Sequence, residues 1–242
     1  MNSVYQPSTI NHQPKLKVCG LTQLDQIQEL ISLNVDFLGF IFYEKSPRFV
    51  LNHLSLKQIV EIPHHGKVGV FVNEDLEKII EISEKADLNF IQLHGDETQE
   101  FISELKEKLN PKIEIIKVIR VGKTSFLKDE IEKISNLKSQ ISNLLFDTDS
   151  KSFGGTGQTF DWNILNDIEI SLPYFLSGGI SLENISELQN FVKVNQHKNK
   201  TLTKFKIPFC LDINSKFEIE PGIKDLKKIK EFLLEMSPKG TN

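Results

Sequence analysis

Two residues of this 242-residue chain suit proton transfer to and from one small molecule: a thiol, Cys19, and a carboxyl, Asp147. Each closes a short apolar, β-branched run, LKVC (16–19) and NLLFD (143–147). His94 and two guanidinium groups, Arg48 and Arg120, stand just beyond or at the end of similar runs. Two loops rich in glycine, Gly154-Gly155-Thr156-Gly157 and Ser177-Gly178-Gly179-Ile180, offer backbone N–H groups to an anion, the second directly before a helical segment. A phosphorylated small molecule is the expected ligand. The Walker pattern is absent, which argues against a nucleoside triphosphate. There is no spacing of metal ligands and no lysine in a recognisable Schiff-base setting, so neither metal nor cofactor is expected.

Taken singly, most of these residues have plainer explanations. Cys19 reads as a small core residue, Asp147 as a cap, His94 as a satisfied loop histidine, Arg48 as a surface ion pair and Gly178-Gly179 as a tight turn. Their common position changes that assessment. Each falls at the C-terminal end of an apolar run, and eight separate explanations do not account for the coincidence.

Eight such runs are present: 16–19, 36–42, 67–72, 89–93, 113–119, 143–147, 173–177 and 207–213. Between and after them lie segments with apolar residues at helical spacing: 23–33, 54–62, 75–86, 97–109, 125–141, 161–167, 181–192 and 223–236. Strand–helix alternation repeated eight times predicts a single (β/α)8 barrel of the triosephosphate-isomerase type, with its chemistry on the C-terminal rim. An open doubly wound sheet ranks lower, because no dinucleotide fingerprint follows the first strand. Residues 1–14 read as a disordered arm and 15–242 as the barrel domain. The basic, polar stretch 193–206 reads as a solvated surface insertion.

The net charge of −4 and pI near 5.9 argue against a general nucleic-acid binder. No apolar stretch approaches membrane-spanning length, and no signal peptide is evident. Two distant cysteines without metal spacing suit a reducing cytoplasm. A monomer or a homodimer is expected, and the sequence does not choose between them.

In order along the chain, several blocks resemble phosphoribosylanthranilate isomerases: Lys17–Thr22 (KVCGLT), Gly39–Tyr43 with Lys45–Arg48, Val68–Asn73 and Gln92–Glu97 (QLHGDE). Leu144–Asp147 with Gly154–Gly157 and Phe160–Trp162, Ser177–Ile180 with Glu183-Asn184, Asp212–Ser215 with Glu218, and Pro221–Asp225 continue the match. The resemblance runs from about Lys15 to the last helix. It implies an Amadori rearrangement of N-(5-phospho-β-D-ribosyl)anthranilate to 1-(2-carboxyphenylamino)-1-deoxy-D-ribulose 5-phosphate, in tryptophan biosynthesis. Asp147 would be the general acid and Cys19 the general base. Arg48 would grip the anthranilate carboxylate, and His94 is counted with the substrate-binding residues. Gly154, Gly155, Thr156, Gly157, Gly178, Gly179, Asn214 and Ser215 would hold the phosphate. These roles call for a lowered Cys19 pKa and a raised Asp147 pKa, by burial or by Asp149, and a bell-shaped pH–rate curve.

Lys216 and Phe217 depart from the glycine and valine usual in the family. Lys216 is a candidate extra charge at the phosphate. Indole-glycerol-phosphate synthase is a rival reading, since Lys45-Ser46-Pro47 echoes its K-x-x-S-P motif, but here the motif follows the second strand and the further lysines are missing. A non-catalytic phosphosugar-binding barrel is the other rival.

Overall fold

The computed structural model describes residues 13–122, 127, 131, 134, 137–149, 159–198 and 207–237. Eight parallel strands close into one barrel in sequence order: β1 (Lys15–Val18), β2 (Phe37–Ile41), β3 (Lys67–Phe71), β4 (Phe90–Leu93), β5 (Glu114–Val121), β6 (Asn143–Thr148), β7 (Tyr174–Leu176) and β8 (Cys210–Ile213). β1 and β8 complete the circle, with Lys17 in register with Asp212. Among the described residues the named helices are α1 (Leu24–Ser32), α2 (Leu56–Val60), α3 (Leu76–Lys85), α4 (Gln99–Lys108), α5 (Ile185–Lys198) and α6 (Leu226–Met236). This is the (β/α)8 barrel that the alternation of runs predicts. No helix among the described residues is long and apolar enough to cross a membrane.

Local chemistry sets the helix starts. Ser55 and Gln58 form a reciprocal capping box on α2, while Asp75, Thr98 and Asp225 accept the first free N–H groups of α3, α4 and α6. Inside the barrel, side chains alternate in and out with period two. Phe37, Val68, Ile116, Val118, Leu145, Phe175 and Cys210 form an apolar plug. The rings of Phe37, Phe175 and Phe209 meet edge-on or tilted at its base, with the Lys15 ammonium over two of them.

Three expectations need correction. Residues 161–167 form a 3-10 turn, Trp162–Asp167, not an α-helix. Only Trp162 and Leu165 are buried there, the three-residue spacing that a 3-10 turn eclipses. Asp161 also draws the Asn163 N–H and side chain onto its own carboxylate. Residues 193–198 are not loop but the end of α5. Asn195 is fully buried and donates to the Phe191 carbonyl at 2.9 Å, so a polar side chain serves the helix core rather than solvent. Ile223-Lys224 are not helical; they pair as β10 with β9 (Glu218–Glu220) in a small hairpin that turns at Gly222, φ +89°. The Asp225 cap explains why α6 starts only afterwards. The arm residues 1–12 and the stretch 199–206 lie outside the described residues.

Candidate active site

Period two along four strands builds the site. Lys17 precedes Cys19 by two on the path of β1, Gln92 precedes His94 on β4, Leu145 precedes Asp147 on β6, and Cys210 precedes Asp212 on β8. Above the apolar plug these strands place five buried polar side chains in a chain of contacts. The Lys17 ammonium donates to Asp212 Oδ2 at 2.7 Å and to Gln92 Oε1 at 2.9 Å. The Gln92 amide nitrogen lies 3.2 Å from His94 Nδ1, and His94 Nε2 lies 3.3 Å from Asp147 Oδ2. Cys19 is buried at the β1 end, its N–H donating to the Ile213 carbonyl. Asp212 and Asp147 end this chain, and Cys19 joins it at Lys17, three side chains away from Asp147.

Charge and burial act in opposite directions along it. Burial pushes the Cys19 thiol up, the ammoniums of Lys17 and Lys224 pull it down, and the net shift is upward. Burial also pushes Asp147 up, but His94, the Thr148 N–H and Ser177 outweigh it, and its carboxyl is held below its ordinary value. Both directions reverse the expectation of a lowered thiol and a raised carboxyl. The reason lies in the partners: Lys17 divides its charge between Asp212 and the thiol, while Asp147 meets donors on three sides. Burial lowers Lys17, yet Asp212 and Cys19 overcome it and the net shift is upward. Asp212 is itself raised, because burial costs it more than one ammonium returns.

Gly39 on β2 makes room for the thiol: a Cβ there would stand 2.9 Å from both Cys19 Cα and Sγ. Gly39→Ala is expected to push Cys19 off its place. Turnover should fall at least tenfold, at a stability cost of about 1–3 kcal/mol; normal kinetics from a folded variant would contradict this. Gly20, φ +75°, lies against Arg48 Cδ and Asn214 Oδ1, where a Cβ would sit 2.7 and 2.8 Å away.

Arg48 is more committed than its sequence position suggests. Its Nε and Nη2 embrace Glu218 at 2.6–3.0 Å. Glu218 also takes Lys224 Nζ at 2.7 Å, and Lys224 reaches Asn214 Oδ1 at 2.9 Å. At the neighbouring rim, Glu97 accepts from the N–H groups of Asn73 and Gly95 and from Lys117, bracing the turn that carries His94. Arg120 pairs with Asp96. Gly178 and Gly179, φ +86° and +68°, make the turn before α5, the kind of turn whose N–H groups cup an anion. Asn184 pins that turn through Gly179 O and Ser181 N. Asn214 precedes a 3-10 turn, Ser215–Phe217, in which Phe217 is buried against Phe232 while Lys216 is exposed and acts on Glu183. Gly154, Gly155, Thr156 and Gly157 lie outside the described residues.

Sequence reasoning missed Lys17, Gln92, Glu97, Lys117, Glu218 and Lys224 as parts of the site. One signal was available for the first two: a polar residue two positions before a rim residue on the same strand shares its face.

A closed parallel barrel with a thiol and a carboxyl at the C-terminal ends of β1 and β6 defines a (β/α)8-barrel enzyme that works at that mouth. A profile of the family described as N-(5'phosphoribosyl)anthranilate (PRA) isomerase matches residues 16–235. The N-(5'-phosphoribosyl)anthranilate isomerase of Trichodesmium erythraeum is 36% identical over 228 residues, covering 92% of this chain and 97% of its own. That of Caldanaerobacter subterraneus is 37% identical, covering 90% and 96%. The crystal structure of phosphoribosyl anthranilate isomerase from Thermotoga maritima superposes with a TM-score of 0.72 at 30% identity, over 92% of this chain and 98% of that one. A phosphoribosyl anthranilate isomerase solved in complex with reduced 1-(o-carboxyphenylamino)-1-deoxyribulose 5-phosphate gives 0.69 at 28% identity, with the same coverage. The chain belongs to the N-(5'-phosphoribosyl)anthranilate isomerase family.

Proposed function

We propose that this chain isomerises N-(5-phospho-β-D-ribosyl)anthranilate to 1-(2-carboxyphenylamino)-1-deoxy-D-ribulose 5-phosphate, with Asp147 as general acid and Cys19 as general base. The observation that carries these roles is the placement of the two groups on non-adjacent strands, at either end of the Lys17–Gln92–His94 chain. Asp147 gives its proton to the ring oxygen, the C1′–O bond breaks, and the nitrogen lone pair completes a Schiff base. The Cys19 thiolate removes the C2′ proton, the electron pair moves to give an enolamine, and tautomerisation yields the C2′ ketone.

Glu218 holds one edge of the Arg48 guanidinium, which leaves the terminal edge to meet the substrate's aryl carboxylate. The Gly178-Gly179 turn and the Asn214-Ser215 segment take the phosphate, together with the loop at 154–157. His94 offers its Nε2 proton to the site. Lys216 is exposed beside the Asn214-Ser215 segment and is a candidate extra charge at the phosphate. Both cysteines are buried free thiols, in keeping with a chain that works in the cytoplasm, making tryptophan.

The productive form has Asp147 protonated and Cys19 ionised. With Asp147 held down and Cys19 pushed up, that form is a small but constant fraction between the two pKa values. kcat/KM is therefore expected to stay flat from below the ordinary carboxylate value of about 3.9 to above the ordinary thiol value of about 8.5. A narrow bell with both limbs inside those bounds would contradict this. Asp147→Asn should lower kcat by about 10²–10⁴-fold and, with only the thiolate then required, replace the plateau by a rise with pH up to the Cys19 pKa. The direct test follows anthranilate fluorescence after mixing the protein with freshly made phosphoribosylanthranilate. Decay faster than the spontaneous rate is expected; decay at that rate alone sinks the isomerase reading.

A further inference from the structure

We propose that Gln92 is a positioning residue that holds His94 in its neutral, Nε2-protonated form, so that Asp147 stays able to accept a proton. The proposal rests on the reading of Asp147 as the acid.

Hydrogen-bond polarity decides the matter without reference to which amide atom is oxygen. A lysine ammonium only donates. The Gln92 atom 2.9 Å from Lys17 Nζ must therefore be its carbonyl oxygen. The other end of the amide, 3.2 Å from His94 Nδ1, is then the NH2 group, which also only donates. His94 Nδ1 must accept, and a nitrogen that accepts carries no hydrogen. The ring proton is left on Nε2, facing Asp147 Oδ2 at 3.3 Å. His94 Nε2 makes no hydrogen bond among the described residues, and the Asp147 carboxylate is the charged group it faces. Lys17, itself fixed by Asp212 at 2.7 Å, thus sets the tautomer of a ring on another strand through one neutral amide.

The consequence concerns charge. An imidazolium needs a proton on both nitrogens, and the second would point at the Gln92 NH2. The carboxylates toward the ring are Asp147 from β6 and, further off, Asp212 from β8. Asp147 is faced by His94, by the Thr148 N–H at 2.9 Å and by Ser177, with Asp212 adding like charge. Arg120, its register neighbour on β5, is paired with Asp96. Of the described groups on Asp147, His94 is the one that can become a cation, and a cation there would pin the carboxyl in its ionised state. Gln92 prevents that.

Gln92→Glu separates this role from simple support of Lys17. A glutamate still accepts from Lys17, but it also accepts a proton from Nδ1 and draws His94 into the charged form. Nitrogen-15 NMR of the ligand-free wild-type chain at pH 7 should show His94 Nε2 protonated and Nδ1 bare, and in Gln92→Glu both should be protonated. kcat of the variant should fall at least tenfold with KM within about threefold. The acid limb of kcat/KM should move to lower pH. Wild-type Nδ1 carrying the proton overturns the proposal, and this measurement needs no variant to fold. A folded Gln92→Glu with unchanged kcat and acid limb overturns it as well, since Gln92 would then serve only as an acceptor for Lys17. A wild-type chain without turnover overturns the isomerase reading instead, and the spectrum still decides for or against the tautomer.

Discussion

Cys19→Ala is expected to lower kcat by about 10²–10⁴-fold while leaving KM close to that of the wild type. The magnitude is that of one lost general base. The small effect on binding follows from what the thiol touches: it is packed between Gly39 and the β8 end of the barrel, whereas the substrate's anions are assigned to other groups, Arg48, Gly178-Gly179 and Asn214-Ser215, which the substitution leaves in place. Losing the thiol of a buried cysteine removes little apolar area, so the variant should fold. Cys19→Ser gives a sharper comparison. A serine hydroxyl fits the space but ionises far less readily than a thiol, so it should restore packing without restoring turnover. Steady-state kinetics on both variants, with far-UV circular dichroism as the control for folding, measures this. Turnover within threefold of wild type in a folded Cys19→Ala would remove the thiol from the chemistry and leave the base to be found elsewhere.

Lys17→Met should cost the fold roughly 3–5 kcal/mol, the usual price of leaving a buried charge without its counter-ion. Lys17 is fully buried and its partner Asp212 nearly so. Asp212 is already raised by burial despite its ammonium, and without it would become a neutral acid or draw water into the barrel. The same change takes the acceptor's donor from Gln92 and a positive charge from beside Cys19. Stability and turnover should therefore fall together. A chain of this size loses about 2–4 °C of Tm per kcal/mol, so thermal unfolding should come roughly 6–20 °C earlier. Lys17→Met with Asp212→Leu restores a neutral, apolar pair and should recover much of the stability but not the activity. Equal stability of Lys17→Met and wild type in urea unfolding would show that the pair contributes nothing to the fold.

The strands were legible because a barrel strand is a short run of apolar, β-branched residues, and each of the eight appears within a few positions of its place. Helix ends were legible where a cap residue marks them, as at Asp75 and Thr98. Legibility failed where tertiary packing overrides local pattern. The hydrophobic rhythm at 161–167 suits an α-helix as well as a 3-10 turn, and only Asp161 tips it. The polar letters of 193–198 read as loop because nothing nearby announces that Asn195 will be buried. The rim residues were found by position, but their electrostatics were not. Lys17 meets Asp212 across 195 residues and Gln92 across 75, so the sign of each pKa shift depends on neighbours that only the closed barrel brings together. The Arg48–Glu218 embrace is of the same kind: the guanidinium was visible in the sequence, and the carboxylate that occupies it was not assigned to it.

The ring of strands closes where β1 meets β8, and that seam carries the Lys17–Asp212 pair. During synthesis the first strand emerges from the ribosome well ahead of the eighth, so its lysine must wait, hydrated, for a counter-ion made 195 residues later. Half a barrel would have to bury an ammonium with the neutral Gln92 carbonyl but no counter-ion, which penalises premature closure among the early strands. The centre of the molecule is therefore also its latch, and the thiol two residues away acquires its electrostatic surroundings only when the latch engages.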